Sequence, residues 1–421
     1  MSVAERIEGP LIALVAGEAS GDNLGAALIA AIRERVPNAR FVGVPGPRMR
    51  EAGCEALASS DELALMGLAE ILRHLPRLIG LRRRLVRELL ARRPAVFVGI
   101  DAPEFNLGLA KRLKAGGLPT VQYVSPQVWA WRQGRVRGIA ESCDRILCLL
   151  PFEPAFYAEH GVTARFVGHP LADQFPLEAD RAGARAALGL SSDDEVIALL
   201  PGSRMGEVSR LATPFVGAAQ WIASKRIVSK RSASTRPGVK FVVPLTSAAT
   251  RACFEEALGA ASGAMASDAR DPDAADSDAT ASDLSLKLLE GQSRLALAAA
   301  DVVLTASGTA TLETLLSQRP MVVAYKLAPL TAFLLRGLGL VKVKHFSQPN
   351  LLVGREIVPE FFQEAATPEA LGAAVLQWLE QPQRLGELRE AFGLVHRDLR
   401  RGGAALAAEA VLELVDVTRK Q

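Results

Sequence analysis

Two turns in this chain place a charged side chain where an apolar strand ends, and each is a place for chemistry. The first is Gly99-Ile100-Asp101-Ala102-Pro103-Glu104-Phe105-Asn106, where Asp101 follows the apolar run 95–100. Open α/β sheets take their ligands beyond the carboxyl ends of their strands, and a carboxylate set there costs desolvation energy unless it has partners or a task. Asp101 reads as a working carboxylate or as the cap of the following helix, with Pro103 in its first turn. The second turn is Pro201-Gly202-Ser203-Arg204 after 196–200, with Glu207 three residues on. The guanidinium fork of Arg204 suits a diphosphate. The plain alternative is an Arg204–Glu207 pair on a helix surface.

Three further turns repeat the pattern. Ala306-Ser307-Gly308-Thr309-Ala310-Thr311-Leu312-Glu313 follows the run 302–305. Small and hydroxyl residues opening a helix suit a phosphate, and Glu313 lies one turn in, at a spacing that reaches ribose hydroxyls. A capping box is the alternative. Gly17-Glu18-Ala19-Ser20-Gly21-Asp22 follows 11–16 and opens a helix near Asn23. It reads as a phosphate or sugar cradle, or as a capped turn with Ser20 or Asp22 as N-cap. Its glycines, at 17, 21 and 25, lack the dinucleotide spacing, which disfavours a dinucleotide oxidoreductase. Trp129 and Trp131, beside Arg132, Arg135 and Arg137, either stack on a sugar or fill the core.

Strands and helices alternate around these turns. Strands are expected at 11–16, 40–44, 95–100, 120–124, 145–150 and 164–167 in the first half. In the second they are expected at 196–200, 240–243, 285–289, 302–305 and 321–324. Helices are expected at 23–34, 107–115 and 181–188, with paired helices over 368–417. Such alternation implies an α/β fold of two doubly wound, Rossmann-like domains. Their expected layout is a cleft with a nucleotide in one half and a second substrate in the other. The domains are expected at 1–175 and 176–375, with C-terminal helices at 376–421 that could cross back to the first domain. Basic, Ser-rich 224–238 and Ala/Ser/Asp-rich 259–285 read as mobile insertions. The strings Asp271-Pro272-Asp273 and Asp276-Ser277-Asp278 lie inside the second and read as chance, so no metal or other cofactor is expected.

Composition narrows the class. A chain of 421 residues with 49% apolar residues can build two cores. A net charge of +3 gives no reason to expect nucleic acid. Cys54, Cys143, Cys148 and Cys253 form no C-x-x-C pair and read as buried reduced thiols, which fits a cytoplasmic setting. Glu5 and Glu8 stand where a signal peptide would be basic. No stretch is long and apolar enough to span a bilayer, so a soluble or membrane-peripheral protein is expected. The stretches 63–93 and 330–344 are amphipathic and basic. One alone reads as a core face with a solvated rim; two favour contact with lipid.

Taken in order, VAGEASGD, RFVGVPGPRM, VFVGIDAPEFN, YVSPQVWAWR, GHPL, LLPGSR with Glu207, ASGTATLE and Gln348-Pro349-Asn350-Leu351-Leu352 cover nearly the whole chain. They resemble the lipid-A-disaccharide synthases; the two insertions lengthen loops and leave the motifs intact. The resemblance implies a GT-B type glycosyltransferase with an inverting reaction. UDP-2,3-diacylglucosamine and 2,3-diacylglucosamine 1-phosphate would give a β-1,6 disaccharide 1-phosphate and UDP, in lipid A synthesis at the inner face of the Gram-negative inner membrane. It implies Asp101 as the base for the acceptor hydroxyl. Gly202, Ser203 and Arg204, with Ser307, Gly308 and Thr309, would meet the UDP charge. Glu313 would hold ribose, and Gln348 and Asn350 would close the donor site. Glu18, Ser20, Gly21, Asp22, Trp129 and Arg132 would serve the acceptor side. Two other readings compete: a UDP-sugar 2-epimerase and a non-catalytic UDP-sugar-binding module.

Overall fold

The computed structural model describes residues 9–63, 68–129, 133–232, 238–268, 284–327 and 345–420. The chain forms two compact units, Met1–Gln174 with Asp398–Gln421, and Phe175–Arg397.

The first unit is built on seven parallel strands: β1 (Leu11–Ala16), β2 (Arg40–Val44), β3 (Cys54–Ala56), β4 (Val96–Ile100), β5 (Thr120–Tyr123), β6 (Arg145–Cys148) and β7 (Ala164–Phe166). Their order is β3-β2-β1-β4-β5-β6-β7. The central strands are unbroken apolar runs because helices cover both faces. Alternate residues of β1 divide between the two: Ile12, Leu14 and Ala16 join the core under helices Ala19–Arg35 and Gly403–Lys420. Ala13 and Val15 face Leu81, Leu85 and Leu89 of helix Leu68–Arg92. The second unit has β8 (Glu195–Leu200), β9 (Val239–Leu245), β10 (Leu286–Glu290), β11 (Val302–Ala306), β12 (Met321–Tyr325) and β13 (Glu360–Phe362), all parallel, in the order β10-β9-β8-β11-β12-β13.

Strand order reverses once in each sheet, between β1 and β4 and between β8 and β11. At such a switch point the two following loops leave in opposite directions and open a crevice. The loops after these four strands hold 17–22, Asp101, 202–204 and 307–309.

The structure departs from the sequence expectations in several places. Edge strands β3 and β13 were not anticipated; each has three residues and pairs on one side, so neither needs an apolar run. The first helix begins at Ala19 rather than near Asn23, and the helix after β4 begins at Pro103. The C-terminal segment holds three helices, Pro368–Glu380, Gln383–Leu399 and Gly403–Lys420, instead of a pair. Helices Met205–Ser232 and Ala248–Asp268 run into both supposed mobile insertions; 233–237 and 269–283, with the two Asp-x-Asp strings, lie outside the described residues. So does 330–344. In helix Leu68–Arg92, residues Leu81, Leu85 and Leu89 are buried, which makes that part of the stripe a core face. Three cysteines are buried as expected, whereas Cys253 is partly exposed; all four are free thiols.

The last helix is tied to the first sheet by charge as well as by packing. Asp173 accepts hydrogen bonds from the amides of Gly402 and Gly403 (3.0 and 2.9 Å) and so caps it. Arg145 pairs with Glu413, and Arg165 with Glu409 and Glu413, at 2.6–2.7 Å.

Candidate active site

In the first unit, β1 and β4 pair with Ala16 opposite Ile100, so the two following turns begin side by side. Gly17 lets them close up, since a Cβ there would lie 2.5 Å from that of Ala102. Ser20 Oγ then donates to Asp101 Oδ2 at 3.3 Å. Glu18 occupies the N-cap position in extended conformation without a side-chain cap, leaving the first-turn amides near Ser20 and Gly21 uncapped by a side chain. Asp101 does not cap the next helix: Ala102 stands at that N-cap, with no side-chain bond. Asp101 and Ala102 both have left-handed backbone, φ 54° and 41°, and Val124 at the end of the adjacent β5 has φ 74°. Such non-glycine residues cost about 1–3 kcal/mol each and persist only where the surroundings hold them.

Asp22 points elsewhere. It is 3% exposed, and its two oxygens accept from the amides of Arg48 and Met49 at 2.8 and 3.0 Å. It thus caps helix Pro47–Glu51 and positions the RFVGVPGPRM segment.

Trp129 Nε1 donates to the buried carboxyl of Glu153 (3.1 Å), and its ring meets that of Phe152 edge-on at 4.9 Å. Arg132 and Trp131 lie outside the described residues. Glu153 also accepts from the Leu150 amide at 3.0 Å, yet burial outweighs these bonds and pushes its carboxyl up to about 7. A folded-state value above the unfolded 4.5 favours the protonated folded form. That stability is full below the unfolded value and is lost as pH rises through about 7. The melting temperature is therefore expected to fall between about pH 5 and pH 8, and Glu153→Gln should flatten that slope. An equally steep slope in the variant would assign the pH dependence elsewhere.

In the second unit the turns after β8 and β11 are again neighbours, with Leu200 opposite Thr305. Gly202 has φ 127°, and a Cβ there would lie 2.5 Å from that of Glu207. The closeness has a reason: Glu207 Oε2 accepts from the amides of Ser203 (3.0 Å) and Arg204 (3.4 Å). The helix N-terminus at this turn already holds the chain's own carboxylate. Arg204 itself is 81% exposed and pairs with Glu207 at 3.5 Å. The surface pair thus forms, and the guanidinium is still turned outward.

The turn after β11 is open. Gly308, at φ 140°, has room around it and gives helix Thr309–Leu316 no side-chain cap. Ser307 donates its amide to Ala324 O (3.0 Å) and its hydroxyl to Phe346 O (3.3 Å). Glu313 is partly buried and bonded to Ser293; burial raises its carboxyl above the ordinary value, with Arg294 opposing.

Phe346 leads into the Gln348 segment, which Glu360 organises. Its carboxylate accepts from the amides of Phe346 (3.1 Å) and Ser347 (2.9 Å), from the Ser347 hydroxyl and from Asn350 Nδ2 (2.8 Å). Asn350, expected from the resemblance to touch the donor, is fully buried and internally satisfied. Nδ2 also donates to Val358 O, and Oδ1 accepts from the amides of Ile357 and Val358. Its visible task is to tie the short helix Gln348–Val353 to the segment Ile357–Glu360; Gln348, which opens that helix, has a buried Oε1 with no partner among the described residues. Asn350→Ala is expected to cost on the order of 2–5 kcal/mol in denaturant unfolding, because three buried partners lose their bonds. A loss of UDP affinity at unchanged stability would instead make Asn350 a ligand contact.

Sequence reasoning gave no task to Glu153, Glu360 or Gln122. Gln122 carried a signal, as an amide inside the apolar run Val121–Tyr123; the other two are single carboxylates whose partners come from distant segments.

The profile of the lipid-A-disaccharide synthetase family matches residues 12–262 and 266–411. A lipid-A-disaccharide synthase of Pseudomonas aeruginosa (strain UCBPP-PA14) is 50% identical over 409 residues, covering 97% of this chain and 99% of its own. Among solved structures, the glycotransferase of kitacinnamycin aligns over 97% of this chain and 99% of its own, with TM-score 0.56 at 19% identity. A UDP-GlcNAc 2-epimerase from Neisseria meningitidis aligns over 96% and 99%, with TM-score 0.54 at 11% identity. The fold is thus of the GT-B type, and at this distance it serves transferase and epimerase alike. The motifs, the family profile and the full-length relative discriminate where the fold does not: the chain belongs to the lipid-A-disaccharide synthase family.

Proposed function

We propose that this chain transfers 2,3-diacylglucosamine from its UDP conjugate to the 6-hydroxyl of 2,3-diacylglucosamine 1-phosphate, with inversion at the anomeric carbon. The observation that carries the reading is Asp101: a carboxylate on a left-handed turn at the switch point of the first unit, with the Ser20 hydroxyl beside it. In this reading Asp101 takes the acceptor proton as the hydroxyl oxygen attacks the anomeric carbon. The bond from that carbon to the diphosphate oxygen breaks, and its electron pair leaves with UDP. The second unit supplies two groups suited to that developing charge, the outward guanidinium of Arg204 and the uncapped N-terminus at Thr309. Glu313 would hold ribose and Gln348 the donor. Ser20 and Trp129 would line the acceptor side, with Glu153 fixing Trp129.

Among the described residues no helix is long and apolar enough to cross a membrane. The diacylated substrates would reach the enzyme from the inner face of the inner membrane, with the basic helix Leu68–Arg92 as one contact. The test of the reaction course is the anomeric configuration of the product, read from proton couplings by NMR. A β linkage is expected. An α linkage would overturn inversion, and interconversion of UDP-sugar epimers without any disaccharide would favour the epimerase.

A further inference from the structure

The strain at Asp101 has a specific support. Asn106 Nδ2 donates to the Asp101 carbonyl at 2.9 Å and lies 3.3 Å from those of Val15 and Ile100. Gln122 Nε2 donates to the same Asp101 carbonyl at 3.0 Å and lies 3.3 Å from that of Val124. Two carboxamides from different elements thus meet on one oxygen, and the carbonyls they reach include those of two left-handed residues, Asp101 and Val124. Both side chains are fully buried. Gly99 makes room for them: a Cβ there would lie 2.8 Å from that of Asn106 and 3.0 Å from Gln122 Oε1.

The carboxamides use only their donors. Asn106 Oδ1 and Gln122 Oε1 are buried with no partner among the described residues. A buried acceptor left unmet costs stability, and both carboxamides carry that cost while their N–H groups meet the Asp101 carbonyl. What an apolar side chain lacks is the N–H that holds the Asp101 carbonyl. Releasing that carbonyl lets the peptide between Asp101 and Ala102 rotate out of its left-handed pair, and the Asp101 carboxylate moves with it.

We propose that Asn106 and Gln122 are positioning residues that lock the turn presenting the Asp101 carboxylate. The proposal rests on Asp101 being the base, and the test separates the two. Gln122→Met and Asn106→Leu keep size and remove the donor. Each is expected to lower kcat about 10–100-fold, the penalty of a misplaced catalytic group, with KM for both substrates and the Kd for UDP within about twofold. In an Asp101→Ala background the same substitutions should cause no further loss, because the group they position is gone. One folded variant of the two suffices. An unchanged kcat, or an equal further loss in the Asp101→Ala background, would overturn the proposal and leave the base intact. Normal turnover of Asp101→Ala by itself would instead overturn the base, and the proposal with it.

Discussion

Asp101→Ala is expected to lower turnover by about 10²–10⁴-fold while leaving UDP affinity unchanged, the usual contribution of a positioned general base. The expectation follows from place and geometry. Asp101 directly follows β4 beside the switch point of the first unit, it does not cap the following helix, and its carboxylate accepts from the Ser20 hydroxyl. The groups read as meeting UDP belong to the second unit, so the substitution should leave them untouched. Steady-state rates with both diacylated substrates, together with titration of UDP, test both halves. Turnover within a few-fold of wild type would remove Asp101 from the reaction; a large loss of UDP affinity would give it a different one.

Arg204→Ala is expected to do the reverse, weakening UDP about 10–100-fold, the worth of a charged hydrogen bond to a diphosphate. Stability should barely move. Arg204 is exposed, and its ion pair with Glu207 is a surface pair worth at most about 1 kcal/mol. The turn itself is held by the Glu207 carboxylate on the Ser203 and Arg204 amides, which the substitution leaves in place. Titration calorimetry with UDP, beside a melting curve, separates the two effects. An unchanged Kd would take Arg204 out of the diphosphate site; a lower melting temperature would mean that the ion pair matters more to the fold than its exposure allows.

The central strands were legible because a strand buried on both faces must be an unbroken apolar run; 11–16, 40–44 and 302–305 needed no other signal. The candidate turns at their carboxyl ends followed from the same logic, but two of their carboxylates, Asp22 and Glu207, hold the chain's own amides. Edge strands β3 and β13 were illegible for the converse reason: three residues paired on one side make little demand on side chains. The division of labour among polar residues was hidden too. Asp22 and Asp101 look alike in sequence, each a carboxylate in the turn after an apolar strand, yet Asp22 is buried on the Arg48 and Met49 amides and Asp101 bonds the Ser20 hydroxyl. Asn350 stands in a recognisable motif, but only the fold brings it the Ile357 and Val358 amides and shows that it holds a loop. Contacts such as these join segments far apart in the chain or depend on how a loop closes, and no local pattern encodes them.

The most direct measurement of the proposed chemistry uses purified protein with UDP-2,3-diacylglucosamine and 2,3-diacylglucosamine 1-phosphate in detergent containing chelator, with products followed by mass spectrometry. The disaccharide 1-phosphate and UDP are expected to appear in equal amounts. UDP binding by folded protein without any disaccharide would contradict the transferase reading and favour a UDP-sugar-binding module or an epimerase.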